Sequence, residues 1–222
     1  MTGTPLWEKS ILRDAAGNTL RPGGFTLTDR AVTLTGLPVD ARVLDVGCGL
    51  GATVEYLRAQ HGLNACGMDY SPRQLAEAPA DLPLTRADGS SLPFADSSFD
   101  AIFCECVLSL LPDKEQTISE FKRVLKENGK LIISDLYQRG KGQHGTGQIQ
   151  CLDGSCANSP LYLGRIEQIL KENSMHIAAI EDYSRLLVEL AAKLVFAGEN
   201  IPSRGQNCCE RPGYMLMIAT QD

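Results

Sequence analysis

Apolar positions in this chain fall into short runs, separated by stretches with helical periodicity. The run Val43-Leu44-Asp45-Val46 carries one carboxylate and leads into glycines at 47, 49 and 51. The following Thr53-Val54-Glu55-Tyr56-Leu57-Arg58 has helical character, and His61-Gly62 closes that helix. Comparable runs predict strands over 66–69, 84–87, 99–104, 131–135, 177–180 and 214–218. Helices are predicted over 27–37, with Thr28 as cap and Pro38 as stop, and over 113–127, where Ile118, Phe121, Val124 and Leu125 share a face. Asn128-Gly129 stops the second of these. Ser71-Pro72 starts another helix, Ser159-Pro160 opens one that reaches Lys171, and an apolar helix over 184–197 ends at Gly198.

Strands alternating with helices at this spacing imply an α/β fold, a mostly parallel sheet with helices on both sides. Residues 1–27 show no clear period. They contain the only tryptophan, Trp7, and a turn-forming Arg21-Pro22-Gly23-Gly24, and read as an N-terminal arm or lid on a domain over 28–222. Residues 138–159 and 199–213 break the alternation. Long connections in compact domains are commonly functional, so both are expected to be active-site loops that cap the sheet.

The glycine turn carries the first chemical signal. Glycines supply dihedrals that side chains forbid and let a ligand approach the backbone, and the helix that follows aims free N–H groups at it. A dinucleotide fingerprint would read G-x-G-x-x-G with an acid about 20 residues on. Here the spacing is G-x-G-x-G, and an acid, Asp45, already stands in the strand before it. Asp69 and Asp88 end the next two strands. Asp69 lies 22 residues after Gly47, where a carboxylate can accept both hydroxyl protons of a ribose. Asp88, with the Gly89 backbone beside it, can accept from an adenine amino group. Asp45 can order the turn or attract ammonium and sulfonium charge.

This pattern resembles motif I of the class I S-adenosylmethionine-dependent methyltransferases. The run Leu92-Pro93-Phe94-Ala95-Asp96-Ser97-Ser98-Phe99-Asp100 resembles that family's "LPF-x-D-x-S-F-D" segment. The likeness covers about residues 28–136, and the count of seven strands extends it to the end. It implies a Rossmann-like, doubly wound, seven-stranded sheet and S-adenosyl-L-methionine as cofactor. The cofactor site it implies comprises Asp45, Gly47, Cys48, Gly49, Gly51, Asp69, Tyr70, Asp88, Gly89, Cys104 and Glu105.

Composition narrows the partners. The chain has 222 residues, 43% hydrophobic and 22% charged, and a net charge of −6. An acidic balance with no offsetting basic cluster disfavours nucleic acid. The Asn/Asp-Pro-Pro-aromatic motif of DNA amino-methylating relatives is also missing at 104–107. No signal-like segment opens the sequence, and no run approaches the ~18 apolar residues of a membrane span. A cytoplasmic enzyme acting on a small molecule is the expectation.

Eight cysteines are many for such a chain, and without a signal they are expected to be reduced. Cys48 and Cys66 suit buried hydrophobes. The run from Phe99 to Glu115, with Cys104-Glu105-Cys106 inside it, resembles arsenite methyltransferases. Cys156 precedes a helix and Cys208-Cys209 precede the last strand, as family cysteines do, and in that family such thiols hold trivalent arsenic. Soft thiolates suit a soft centre. Cys106, Cys156, Cys208 and Cys209 are therefore candidate substrate ligands. The family's further cysteines would fall near Val54 and Gly23, where this chain has none, and Glu105 stands where an asparagine is usual. Cys151, Cys156, Cys208 and Cys209 could instead be redox thiols, or a zinc site, though vicinal cysteines suit one tetrahedral ion poorly, and no metal is expected. A soft acceptor needs no general base; for others the candidates are His144, Asp135 and Glu105, while His61 and His176 look structural. The competing reading is a non-catalytic cofactor-binding or redox scaffold that uses its loop cysteines for partner contact.

Overall fold

The computed structural model describes residues 5–139, 160–199 and 212–221. Seven strands form one sheet: β1 (Arg42–Val46), β2 (Asn64–Asp69), β3 (Leu84–Arg86), β4 (Phe99–Glu105), β5 (Leu125–Gln138), β6 (Met175–Asp182) and β7 (Pro212–Gln221). Their order is β3-β2-β1-β4-β5-β7-β6. β1 to β5 pair in parallel, while β7 runs antiparallel to both β5 and β6, so the sheet is mostly parallel, as expected, with one reversed strand.

Alternation along the central strands feeds two separate cores. Leu44, Val46, Ile102, Cys104, Leu131 and Ile133 face α5 (Lys114–Val124) and α6 (Leu163–Glu172), which contribute Ile118, Phe121, Ile166 and Ile169. Val43, Ala101, Phe103 and Ile132 face the other way, against α2 (Phe25–Thr35) and α3 (Ala52–His61) through Leu27, Ala31, Val54 and Leu57. A sheet covered on both faces needs the near-continuous apolar strands that the sequence shows. The remaining helices are α1 (Ser10–Ala16), α4 (Pro72–Glu77) and α7 (Ser184–Phe196). Among the described residues, no helix is long and apolar enough to cross a membrane.

Several element ends differ from the sequence expectation, each for a local reason. α2 starts at Phe25 because Gly23 and Gly24, with φ of 77° and 55°, turn the chain early; Thr28 is then buried inside the helix and caps nothing. α5 stops at Val124 because Leu125 already pairs with Phe99 of β4. Asn128, with φ of 62°, bends β5 at the following register shift. α6 begins three residues after Pro160, since Leu161 is used in extended pairing with Leu136 and Gln138 at the end of β5. The arm is not featureless either. It holds α1 and short 3₁₀ turns at Leu6–Glu8 and Gly17–Thr19.

Candidate active site

Strand order reverses beside β1, and ligands of doubly wound sheets sit outside the carboxyl ends at that point. A cavity of about 550 Å³ opens there, within the usual size of a small-molecule site. Its floor is the turn after β1. Gly47 and Cys48 donate their N–H groups to the Met68 carbonyl at 2.8 and 3.0 Å, which ties the turn to β2. The three glycines of that turn have φ between 54° and 77°, and they do different jobs. A Cβ on Gly47 would overlap Val107, and one on Gly51 would press on Leu82 and Leu84 at 2.8 and 2.9 Å. Gly49 alone keeps open space above it, the nearest atoms to a Cβ being Gln74 Oε1 and Leu20 Cδ1 at 3.7 Å. Gly47, Cys48 and Gly49 line the cavity; Gly51 serves packing behind it.

The acids behave differently from one another. Asp45 is 3% exposed, lines the cavity, and receives no hydrogen bond from any described residue. Burial first, then the nearby Glu105 carboxylate, pushes its carboxyl well above the usual range, with Arg21 opposing. Asp69 accepts from the N–H groups of Gly49 and Ser71, both at 2.8 Å. Burial raises its carboxyl, and these backbone bonds moderate the shift. Asp88 is exposed at the rim and holds the Ser90 N–H and hydroxyl at 2.9 and 2.7 Å, which lowers it. Tyr70 stands 68% exposed over the opening, with the Arg86 guanidinium 5.7 Å from its ring centre. Gly89 also lines the cavity, buried against Leu111.

At the end of β4 the three candidates part company. Cys104 is fully buried on the α5 and α6 side and does not reach the cavity; burial pushes its thiol up. The strand's alternation turns Glu105 the other way, where it pairs with Arg21 of the arm at 2.8 Å and accepts from Thr53 and Thr28 at 3.1 and 3.3 Å. Cys106 follows with φ of 58°; it lines the cavity, with Sγ 3.4 Å from the Tyr214 hydroxyl. Asp135 is no part of the site. It is fully buried and accepts from Ser109 N, Ser109 Oγ and Leu136 N, and burial pushes its carboxyl up to about 6. His61 pairs with Asp29 at 2.9 Å outside the cavity. Cys151, Cys156, Cys208, Cys209 and His144 lie outside the described residues. Among the described ones no group of three or more histidine, cysteine or acidic side chains could hold a metal.

The arm supplies a wall that sequence reasoning named only as a cover. Trp7, Glu8, Leu20 and Arg21 line the cavity from above, and Gln74 of α4 lines it from the side. Arg21 is 4% exposed, and its Nε, like Gln74 Oε1, is buried without a partner among the described residues. Only the Arg21-Pro22-Gly23-Gly24 turn hinted that the arm doubles back here.

These features fit S-adenosylmethionine. Glycine backbone is open at the floor, an unpartnered carboxylate faces the space, and an orphaned donor and acceptor lie in its walls. The carboxylates of Asp45, Asp69 and Asp88 outnumber the one lining guanidinium, which suits a ligand of net positive charge.

Comparison with known proteins agrees. Residues 44–133 match the family model described as "Methyltransferase domain". That span therefore resembles a class I, S-adenosylmethionine-dependent methyltransferase domain. An uncharacterised protein of Haemophilus influenzae is 38% identical over 128 residues, covering 53% of this chain and 51% of its own. The arsenite methyltransferase of Aquipseudomonas alcaligenes is 32% identical over 149 residues, 60% of this chain and 43% of its own. The chain thus spans about half the length of the curated relatives it matches. Among solved structures, phosphoethanolamine N-methyltransferase 2 of Haemonchus contortus, in complex with S-adenosyl-L-methionine, superposes with a TM-score of 0.74 at 20% identity, covering 96% of this chain and 56% of that one. At that identity the likeness speaks for the fold.

Proposed function

We propose that this protein transfers the methyl group of S-adenosylmethionine to a small molecule. The observation that carries the reading is Asp45, a buried carboxylate at the end of β1 that faces the cavity with no donor on it. Leaving such a group unmet is costly, and a cationic ligand resolves it.

Each neighbouring residue then has a task. Asp45 would attract the ligand's ammonium and sulfonium charge across the open backbone at Gly49. Asp69, already oriented by two backbone N–H groups, would accept from the ribose hydroxyls. Tyr70 offers a ring face to the adenine, and Asp88 with Gly89 would meet its amino edge. When bound, the cofactor supplies an already activated methyl group. What the protein adds is alignment and exclusion of water, which can be worth ~7–11 kcal/mol. Glu105 is held as an ion pair by Arg21, which makes it an anchor of the wall and no free base.

For the acceptor we favour a soft centre, a trivalent metalloid or a thiol-bound species. Cys106 supports this by standing in the cavity lining just after β4, and so does the resemblance to arsenite methyltransferases at 99–115. Soft nucleophiles need no general base. The test is transfer of a labelled methyl group to a panel of arsenite, dithiols, hydroquinones and amines. Label should pass to arsenite or the dithiols, and Cys106→Ser should reduce it. Transfer to amines or hydroquinones alone would remove the soft-acceptor reading, and an inert panel with cofactor bound would favour the non-catalytic alternative.

A further inference from the structure

Gln74 is 4% exposed and lines the cavity, yet nothing in the cofactor assignment above uses it. Its Nε2 donates to the Trp7 carbonyl of the arm at 2.5 Å. A carbonyl can only accept, so this contact fixes the orientation of the amide, nitrogen toward the arm and Oε1 away from it. Oε1 is buried and finds no donor among the described residues. It lies over the open face of Gly49, 3.7 Å from where a Cβ would stand. Two more acceptors belong to the same wall. Asp69 is one, and Glu8 of the arm is the other, taking the Ser71 hydroxyl at 2.7 Å. Lone pairs therefore crowd this side of the cavity, and one of them is unmet.

We propose that Gln74 couples closure of the N-terminal arm to occupancy of the cavity: Nε2 holds the Trp7 carbonyl while Oε1 accepts a hydrogen bond from a ribose hydroxyl of the adenosyl ligand. The inference rests on the adenosyl-binding reading above. With the cavity empty, closing the arm seals an acceptor away from water without a partner, which opposes closure. A ligand hydroxyl removes that opposition. Arm closure and ligand binding then favour each other by the same factor, as linked events must. A hydroxyl fits better than an ammonium here, because the wall shared with Gln74 is that of Asp69, while the unpartnered Asp45 stands at the end of the neighbouring strand.

Trp7 is the only tryptophan in the chain, so its fluorescence reports on the arm directly. S-adenosylhomocysteine and 5′-methylthioadenosine share the ribose, but the second lacks the amino-acid part. Both are titrated into the protein, by calorimetry and by tryptophan emission. Both should shift the Trp7 emission of the unaltered protein. Gln74→Met should weaken both about five- to tenfold, the worth of one neutral hydrogen bond, and remove most of the emission shift. Gln74→Glu keeps an acceptor toward the cavity but sets a carboxylate oxygen against the Trp7 carbonyl, so ligand should still bind while Trp7 stops responding. An emission unmoved by saturating ligand in the unaltered protein overturns the coupling and needs no variant. Unchanged affinity of Gln74→Met for both ligands overturns the hydrogen bond. Weakening of S-adenosylhomocysteine alone overturns the ribose assignment, since the donor would then be the ammonium. Failure of the unaltered protein to bind either compound is a separate result, which removes the adenosyl reading and this inference with it.

Discussion

Two buried carboxyl groups, Asp45 on β1 and Asp135 on β5, show how position decides what a buried acid does. Asp135 accepts three hydrogen bonds and closes the 3₁₀ turn Leu108–Leu110, whereas Asp45 faces the cavity with none. Burial raises the Asp135 carboxyl from 3.8 to about 6 in the folded chain. Between those values the folded state binds more protons than the unfolded one, so the contribution of this group is greatest at the acid end and is lost as pH rises through about 6. Asp135→Asn should flatten that stretch of the stability curve and cost about 1–3 kcal/mol, because an amide NH₂ then confronts the N–H of Ser109 or Leu136. Denaturant unfolding over that range checks both, and an unchanged slope would contradict the assignment. For Asp45 the sign concerns the ligand. Protonated, it no longer attracts a cation, so cofactor affinity should fall as pH drops through a titration lying above the ordinary carboxylate range. Asp45→Asn should cost about 1.5–3 kcal/mol of binding at neutral pH and leave only the weaker slope of Asp69. The sequence showed that these acids stand at strand ends. It could not show which is satisfied, since Ser109 and Leu136 meet Asp135 only once β5 and the 3₁₀ turn are packed.

Among the elements, the arm was the least legible in the sequence. α1 has seven residues and buries only Leu12, too little for a period to show. Its hold on the domain comes from single long-range pairs instead. Two of these pairs predict opposite outcomes. Arg21 and Glu105 are both 4% exposed, and Arg21→Met leaves a buried carboxylate beside Asp45 without its cation. A loss of about 3–5 kcal/mol in denaturant stability is expected. Arg13 pairs with Glu77 at 2.6 Å, but both side chains are about two-fifths exposed, at 41% and 40%. Water screens that pair, so Arg13→Ala should change stability by no more than about 1 kcal/mol. Equal effects from the two variants would contradict the picture of a buried anchor. Helix ends were also misplaced where another force competed with local signals. Gly23 and Gly24 start α2 early, and pairing of Leu125 with Phe99 ends α5 early.

At the scale of the whole molecule, the sheet was legible because its central strands are apolar on both faces and are spaced by helices. The two cores follow from that alternation, as does the burial of Cys104, which sequence reasoning had aimed at the cofactor. The reversed β7 was not legible, because strand direction depends on the connections and not on the strand's own pattern. What the sheet does is bring the ends of β1, β2 and β4 to one cavity and leave the arm to form its roof. The central claim is that this cavity holds an adenosyl ligand through Asp69 and the glycine turn. Calorimetric titration of the unaltered chain and of Asp69→Ala with S-adenosylhomocysteine, set against a nicotinamide dinucleotide, tests it directly. One adenosyl ligand should bind each chain, Asp69→Ala should lose about 1.5–3 kcal/mol, and the dinucleotide should not compete. Equal affinity in Asp69→Ala, or preference for the dinucleotide, would contradict the account.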